Sequence, residues 1–138
     1  MFDETIKAIE YFCNGMYCSQ AVFGAFSEKY GLSKDIAFNI SCGLNSGARC
    51  ADICGAVTGG ILVIGLKYGA DKQKCNRETE LFIPRFVEQN GSSMCRDILG
   101  CDITTTAGKQ AAAAGNLFGT VCPELVENAV DLLADMGY

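Results

Sequence analysis

The chain has 138 residues, of which 49% are hydrophobic, so it is long enough to bury a core without support from crosslinks. Sixteen acidic residues outnumber eleven basic ones, and a net charge of −5 without a basic cluster excludes nucleic acid as a natural partner. Nine cysteines and no histidine exclude histidine-dependent catalytic triads and leave thiols as the main reactive or metal-binding groups.

The apolar residues recur with a helical period almost throughout the chain, which predicts an all-α fold. The first predicted helix ends near residues 14–15. Its apolar face is formed by Phe2, Ile6, Ile9 and Cys13. A second helix begins near Cys18 and stops at Gly31. Ser33 is a typical N-cap residue, so we expect a third helix after it, in which Ile36 and Ile40 face inward.

A glycine-rich helix is predicted in the middle of the chain, from about Ala51 to Tyr68. It contains Gly55, Gly59, Gly60 and Gly65. Each glycine inside a helix costs about 1 kcal/mol relative to alanine, so this number of glycines indicates a steric need. The small face formed by Gly55 and Gly59 would allow either a neighbouring helix or a bound cofactor to approach closely, and both interpretations stay open.

The C-terminal half is also predicted to be helical. Residues 71–90 form a long helix that Pro84 is expected to kink or divide, and residues 95–99 form a short one. Residues 102–120 fit either a threonine-capped helix or an irregular segment. The last helix is predicted to have Pro123 at its first position. Together these elements predict a single domain, residues 1–138, built as a bundle of about six to seven helices around the glycine-rich helix.

The cysteines are spread over the whole chain, at Cys13, Cys18, Cys42, Cys50, Cys54, Cys75, Cys95, Cys101 and Cys122. Their odd number does not suit a disulfide framework. Residues 1–11 carry four charges and no apolar run, so we expect no secretory signal and a location in the reducing cytoplasm. The longest uncharged apolar stretch, residues 53–66, is too short for a membrane span, which takes about 20 residues.

Four of the cysteines lie at or near predicted helix starts: Cys18, Cys54, Cys95 and Cys122. Cys122 directly precedes Pro123, which predicts that it is the N-cap of the last helix. Free backbone N–H groups and the helix dipole favour negative charge at such positions, so we expect thiolates there rather than inert thiols. If the fold gathers these helix starts, they converge on one anionic centre.

The other interpretation is that a cysteine acts as a small buried hydrophobic residue. We expect this role for Cys42, Cys75 and Cys101. Cys13 and Cys50 are left undecided, although Cys50 is expected on the same side of the first turn of the glycine-rich helix as Cys54.

Four separated segments carry a resemblance to a known family. They are residues 18–22 (Cys-Ser-Gln-Ala-Val), residues 54–60 (Cys-Gly-Ala-Val-Thr-Gly-Gly) followed by residues 65–69, residues 95–100, and the pair Cys122 and Pro123. In this order and at this chain length they resemble the C-GCAxxG-C-C family of small bacterial and archaeal redox proteins. The resemblance covers essentially the whole chain.

The resemblance implies a redox role in which Cys18, Cys54, Cys95 and Cys122 are ligands of an iron–sulfur cluster or exchangeable thiols; if a cofactor is bound, the small face of Gly55 and Gly59 is the part of the glycine-rich helix expected beside it. It also implies a redox partner protein. The split-Soret cytochromes are similar over this region and bind both an iron–sulfur cluster and c-type haem. This chain has no CxxCH motif and no histidine, so haem is not expected here.

Two further functions remain open at this stage. One is a metal-free thiol–disulfide oxidoreductase, in which Cys50 and Cys54 form the natural local pair. The other is a carrier of metal or sulfur. Structural zinc fits less well, because the four cysteines are separated by 36, 41 and 27 residues instead of forming a short knuckle. The sequence leaves open whether the protein is an enzyme and what its oligomeric state is, a homodimer included.

Overall fold

The computed structural model describes residues 1–138 as a single-domain, all-α protein without strands. Its eight α-helices are α1 (Asp3–Cys13), α2 (Cys18–Ser27), α3 (Lys34–Ser41), α4 (Gly55–Tyr68), α5 (Lys72–Asn90), α6 (Cys95–Leu99), α7 (Thr106–Ala114) and α8 (Leu117–Asp135). The all-α prediction is confirmed. The count is eight instead of six to seven because the ambiguous stretch forms α7, capped by the Thr105 side chain, which accepts a hydrogen bond from the Gly108 N–H.

Local signals at the helix ends explain most of these bounds. The Ser33 hydroxyl accepts a hydrogen bond from the Ile36 N–H, and the Asp71 carboxylate accepts one from the Lys74 N–H, so each residue caps the helix that follows it. Gly91 ends α5 in the left-handed conformation, with φ 88°. None of the eight helices has both the length and the apolar character needed to cross a bilayer.

The proline in α5 does not divide that helix. Pro84 lies inside α5, where it removes one backbone hydrogen bond at a cost of about 3 kcal/mol. Phe82 and Phe86 flank it, and both rings are fully buried, with their centroids 6.4 Å apart. Burying each ring contributes about 1.5–3 kcal/mol, which offsets the cost and keeps the helix continuous.

The helix enclosed on all sides is α2. Nine of its ten residues are buried, and it packs against α1, α3, α4 and α8. The glycine-rich helix α4 lies beside it and also contacts α5 and α8. A Cβ added at Gly59 would lie 2.8 Å from the Ser19 carbonyl oxygen of α2, and one at Gly60 would lie 2.6 Å from the Phe82 ring of α5. These two glycines therefore serve close helix packing.

Small residues also decide which faces of α1 and α3 turn inward. Ile36 and Ile40 are 51% and 54% exposed, so the prediction that they face the core is wrong. The buried side of α3 carries Ala37 and Ser41 instead. In α1 the buried residues are Thr5 and Ala8, whereas the predicted apolar face lies largely at the surface. Short side chains allow these outer helices to lie close against α2, and the larger aliphatic ones are left outside.

Candidate functional site

One cavity of about 420 Å³ opens between the ends of several helices, and its lining is mainly apolar. The cysteines in its wall are Cys18, Cys54, Cys95 and Cys122. Each comes from a different part of the fold: the start of α2, the residue before α4, the start of α6, and α8. The structure thus brings together all four cysteines that the sequence singled out.

An isolated antiparallel bridge positions two of these thiols. It pairs Ile53 with Met94. On either side of it, the Cys54 N–H donates to the Ser93 carbonyl and the Cys95 N–H donates to the Asp52 carbonyl, both at 2.7 Å. These two bonds hold Cys54 and Cys95 side by side although 41 residues separate them in the chain.

The Cys18 sulfur lies where several backbone donors converge. The N–H groups of Cys18, Ser19, Ser46 and Gly55 all face it. A Cβ at Gly55 would come within 3.0 Å of the sulfur, so only glycine fits at this first position of α4. Gly55 lines the cavity, as predicted for a residue beside a cofactor, whereas Gly59 packs against α2 and is absent from the lining.

Cys122 reaches the cavity from inside a helix. The prediction that it caps the last helix is wrong, because α8 begins at Leu117 and continues through Pro123. The reason is tertiary: Leu117 and Val121, upstream of the proline, pack with Cys122 against a second apolar cluster that includes Cys95. This packing outweighs the local preference of proline for the first helical position.

Burial opposes ionisation of all four thiols. It raises the pKa of Cys18 and of Cys54, that of Cys95 to about 11, and that of Cys122 to about 12. Neighbouring thiols of the same set, above all Cys18, raise the last three pKa values further. For Cys18 and Cys54, backbone N–H groups lower the pKa, as expected at helix starts, but desolvation by burial has the larger, opposite effect.

The spacing of the thiols bears on the kind of centre they fit. No three cysteine, aspartate or glutamate side chains lie close enough together to hold a single metal ion. A tetrahedral zinc ion requires sulfur atoms about 2.3 Å from one point. The four thiols therefore share one cavity wall without forming a single-ion site.

Part of the cavity wall is a left-handed turn that was not predicted from the sequence. Ser46, Gly47, Ala48 and Arg49 all have positive φ, between 54° and 63°, and so form a left-handed turn. Each non-glycine residue in this conformation costs about 1–2 kcal/mol. Both Ser46 and Arg49 line the cavity. The run Asn45-Ser46-Gly47 is rich in residues that tolerate such a turn and was the available signal.

Residues 16–136 match the model of a family described as "Putative redox-active protein (C_GCAxxG_C_C)". The chain belongs to this family. No curated protein and no solved structure matches it. The region matched to the C_GCAxxG_C_C family contains the four cavity cysteines and the left-handed turn.

The remaining cysteines of this C_GCAxxG_C_C protein lie outside the cavity wall, and all of them are free thiols. Three are exposed: Cys13, Cys42 and Cys50. The expectation of burial is therefore wrong for Cys42, whereas Cys75 and Cys101 are half-buried against apolar clusters. Cys50 belongs to the segment before α4 and does not share a helical turn with Cys54, because that helix begins at Gly55 and not near Ala51.

Proposed function

We propose that this protein binds an iron–sulfur cluster through Cys18, Cys54, Cys95 and Cys122, and exchanges electrons with a redox partner protein or enzyme in the reducing cytoplasm. The observation that carries the proposal is that one cavity collects these four thiols from four separate elements. The other five cysteines stay outside it. Membership of a family described as redox-active supports the same chemistry.

The donor set suits such a cofactor. Thiolates are the usual ligands of iron–sulfur clusters, and the four cysteines, separated by 36, 41 and 27 residues, do not form the short knuckle that is usual in structural zinc sites. When bound, the cluster would supply one-electron redox chemistry. Coordination to a cation deprotonates a thiol, which would reverse the effect of burial on the pKa of these cysteines.

The protein groups around the thiols have defined roles in this proposal. The backbone N–H groups facing Cys18 would stabilise its sulfur as a thiolate ligand. The bridge at Ile53 and Met94 would hold two ligands in register. The apolar wall would limit the access of water to the cluster, which is one of the factors that set its reduction potential.

The metal-free oxidoreductase is less well supported. Such enzymes rely on an accessible cysteine with a lowered pKa. Here burial raises the pKa of Cys54, and its proposed partner Cys50 is exposed and does not line the cavity. A metal or sulfur carrier would use the same four thiols and differs in releasing its cargo.

The decisive experiment is anaerobic isolation or reconstitution of the full chain, with iron, zinc and acid-labile sulfide measured per chain. We expect iron and sulfide in stoichiometric amounts and a brown protein with visible charge-transfer absorption. Cys122→Ser should remove or convert this spectrum, whereas the matched Cys75→Ser, outside the cavity, should leave it intact.

Four other outcomes would contradict the proposal. A colourless protein without iron after reconstitution would refute it, and zinc without sulfide would indicate a structural zinc protein. A Cys75→Ser variant as damaged as Cys122→Ser would show that the ligand set is wrong. Rapid transfer of iron and sulfide to an apo-ferredoxin would favour the carrier function instead.

A further inference from the structure

A single charged side chain lines the cavity, that of Arg49. The rest of the wall consists of thiols, apolar residues and small polar groups. The protein as a whole is acidic, with a net charge of −5. Arg49 is exposed, and it is therefore the one charged residue in the wall of the cavity that collects four cysteines.

The hydrogen bonds of Arg49 hold its charge in place without neutralising it. Its Nη1 donates to Asn45 Oδ1 at 3.0 Å and to Ser46 Oγ at 3.3 Å, and both acceptors are uncharged. Asn45 is itself buried, and its Nδ2 donates to the Cys42 carbonyl at 2.7 Å. No carboxylate pairs with Arg49, in contrast to Arg96, which forms an ion pair with Asp52.

The left-handed turn of residues 46–49 determines the position of Arg49 in the cavity wall. The left-handed turn of residues 46–49 places the Ser46 N–H against the Cys18 sulfur and the Arg49 side chain in the cavity wall. Strained conformations of this kind persist where the surrounding structure enforces them, and they concentrate at functional sites. The turn therefore places the Ser46 N–H at Cys18 and Arg49 in the wall of the same cavity.

We propose that Arg49 raises the reduction potential of a cluster bound in this cavity, an inference that rests on the proposed function. One-electron reduction adds one negative charge inside the cavity, and no bond to Arg49 forms or breaks. The fixed positive charge stabilises the reduced, more negative state more than the oxidised one. Because Arg49 is itself exposed, solvent and salt screen part of this effect.

The test is a potentiometric titration of the anaerobically reconstituted full chain, with dithionite as the electron donor and the visible spectrum as the signal. Arg49→Gln removes the charge and keeps a hydrogen-bond donor, Arg49→Lys keeps the charge, and Arg49→Glu reverses it. The matched control is Arg85→Gln, which changes the net charge equally from α5, a helix that contributes nothing to the cavity wall. Circular dichroism checks that each variant is folded.

We expect the midpoint potential to fall in Arg49→Gln, to fall further in Arg49→Glu, and to stay near the wild-type value in Arg49→Lys and Arg85→Gln. Equal shifts in Arg49→Gln and Arg85→Gln would overturn the inference, because only net charge would then matter. A shift in Arg49→Lys as large as in Arg49→Gln would also overturn it in favour of turn geometry. If the wild type takes up no iron and sulfide, the proposed function itself fails; a loaded wild type with an unshifted Arg49→Gln refutes only the role of Arg49.

Discussion

Replacing Gly55 with alanine tests whether the contact between α4 and the start of α2 shapes the site. The added Cβ would lie within 3.0 Å of the Cys18 sulfur and 3.3 Å from both the Leu44 carbonyl oxygen and the Ser19 nitrogen. Ordinary contacts between heavy atoms are about 3.5–4.0 Å, so the sulfur has to move by about 0.5 Å or more. Such a movement takes it away from the backbone N–H groups that converge on it.

The expected cost combines two opposing effects. Overpacking of a filled site destabilises a protein by about 1–3 kcal/mol, and alanine returns at most about 1 kcal/mol of helix propensity. At this chain length each kcal/mol shifts the melting temperature by about 2–4 °C. We therefore expect Gly55→Ala to melt at or several degrees below the wild type and to take up clearly less iron and sulfide on reconstitution.

Gly65→Ala is the matched control on the same helix. A Cβ at this position would meet nothing within 4 Å, so only the gain in helix propensity remains, and the melting temperature should rise by a few degrees. Thermal unfolding followed by circular dichroism measures the stability, and iron and sulfide analysis measures the cofactor. If Gly55→Ala keeps full cofactor content and melts as high as Gly65→Ala, the steric reasoning about Cys18 is refuted.

Two further predictions use the metal-free protein. At pH 8, iodoacetamide should modify the three exposed cysteines first. Cys95 and Cys122 should react slowly, because their pKa values are raised to about 11 and about 12. The labelling rates of these two thiols should rise about tenfold per pH unit until the pH approaches their pKa values. Mass spectrometry measures the labelling of each cysteine, and denatured protein is the control. Rapid labelling of Cys122 in the folded chain would contradict its burial. Gly59→Ala should lower the melting temperature, because the added Cβ would lie 2.8 Å from the Ser19 carbonyl oxygen, and Gly59→Leu should prevent folding. If Gly59→Ala instead raises the melting temperature as Gly65→Ala is expected to do, α2 and α4 are not tightly packed at this position.

Much of the secondary structure could be predicted from the sequence, because its signals are local. The side chains of Ser33 and Asp71 cap helices through hydrogen bonds to residues three positions away, and Gly91 ends a helix through its own φ. The short helix Cys95–Leu99 was predicted with its observed bounds. Each of these features depends on neighbours within one helical turn, so the printed sequence contains the required information.

Local sequence signals gave wrong predictions where packing between distant residues competed with them. Proline next to Cys122 indicated a helix start, but the apolar residues before it extend α8 by packing against the second cluster. The isoleucines of α3 fitted an inward stripe, but Ala37 and Ser41 allow a closer approach to α2 and take the buried side. In both cases the outcome depends on the shape of a surface formed by other helices.

The predicted helix starts and the family resemblance singled out four cysteines, but the sequence could not test whether the fold brings them together in one cavity. The tertiary structure meets it through the Ile53 and Met94 bridge, the close contact of Gly55 with Cys18, and the extended N-terminal part of α8. It also adds Arg49, which no local pattern marked as part of the site. Helix caps follow from interactions within one turn, whereas a cavity is formed by residues tens of positions apart, and only the packing of whole helices determines which of them share it.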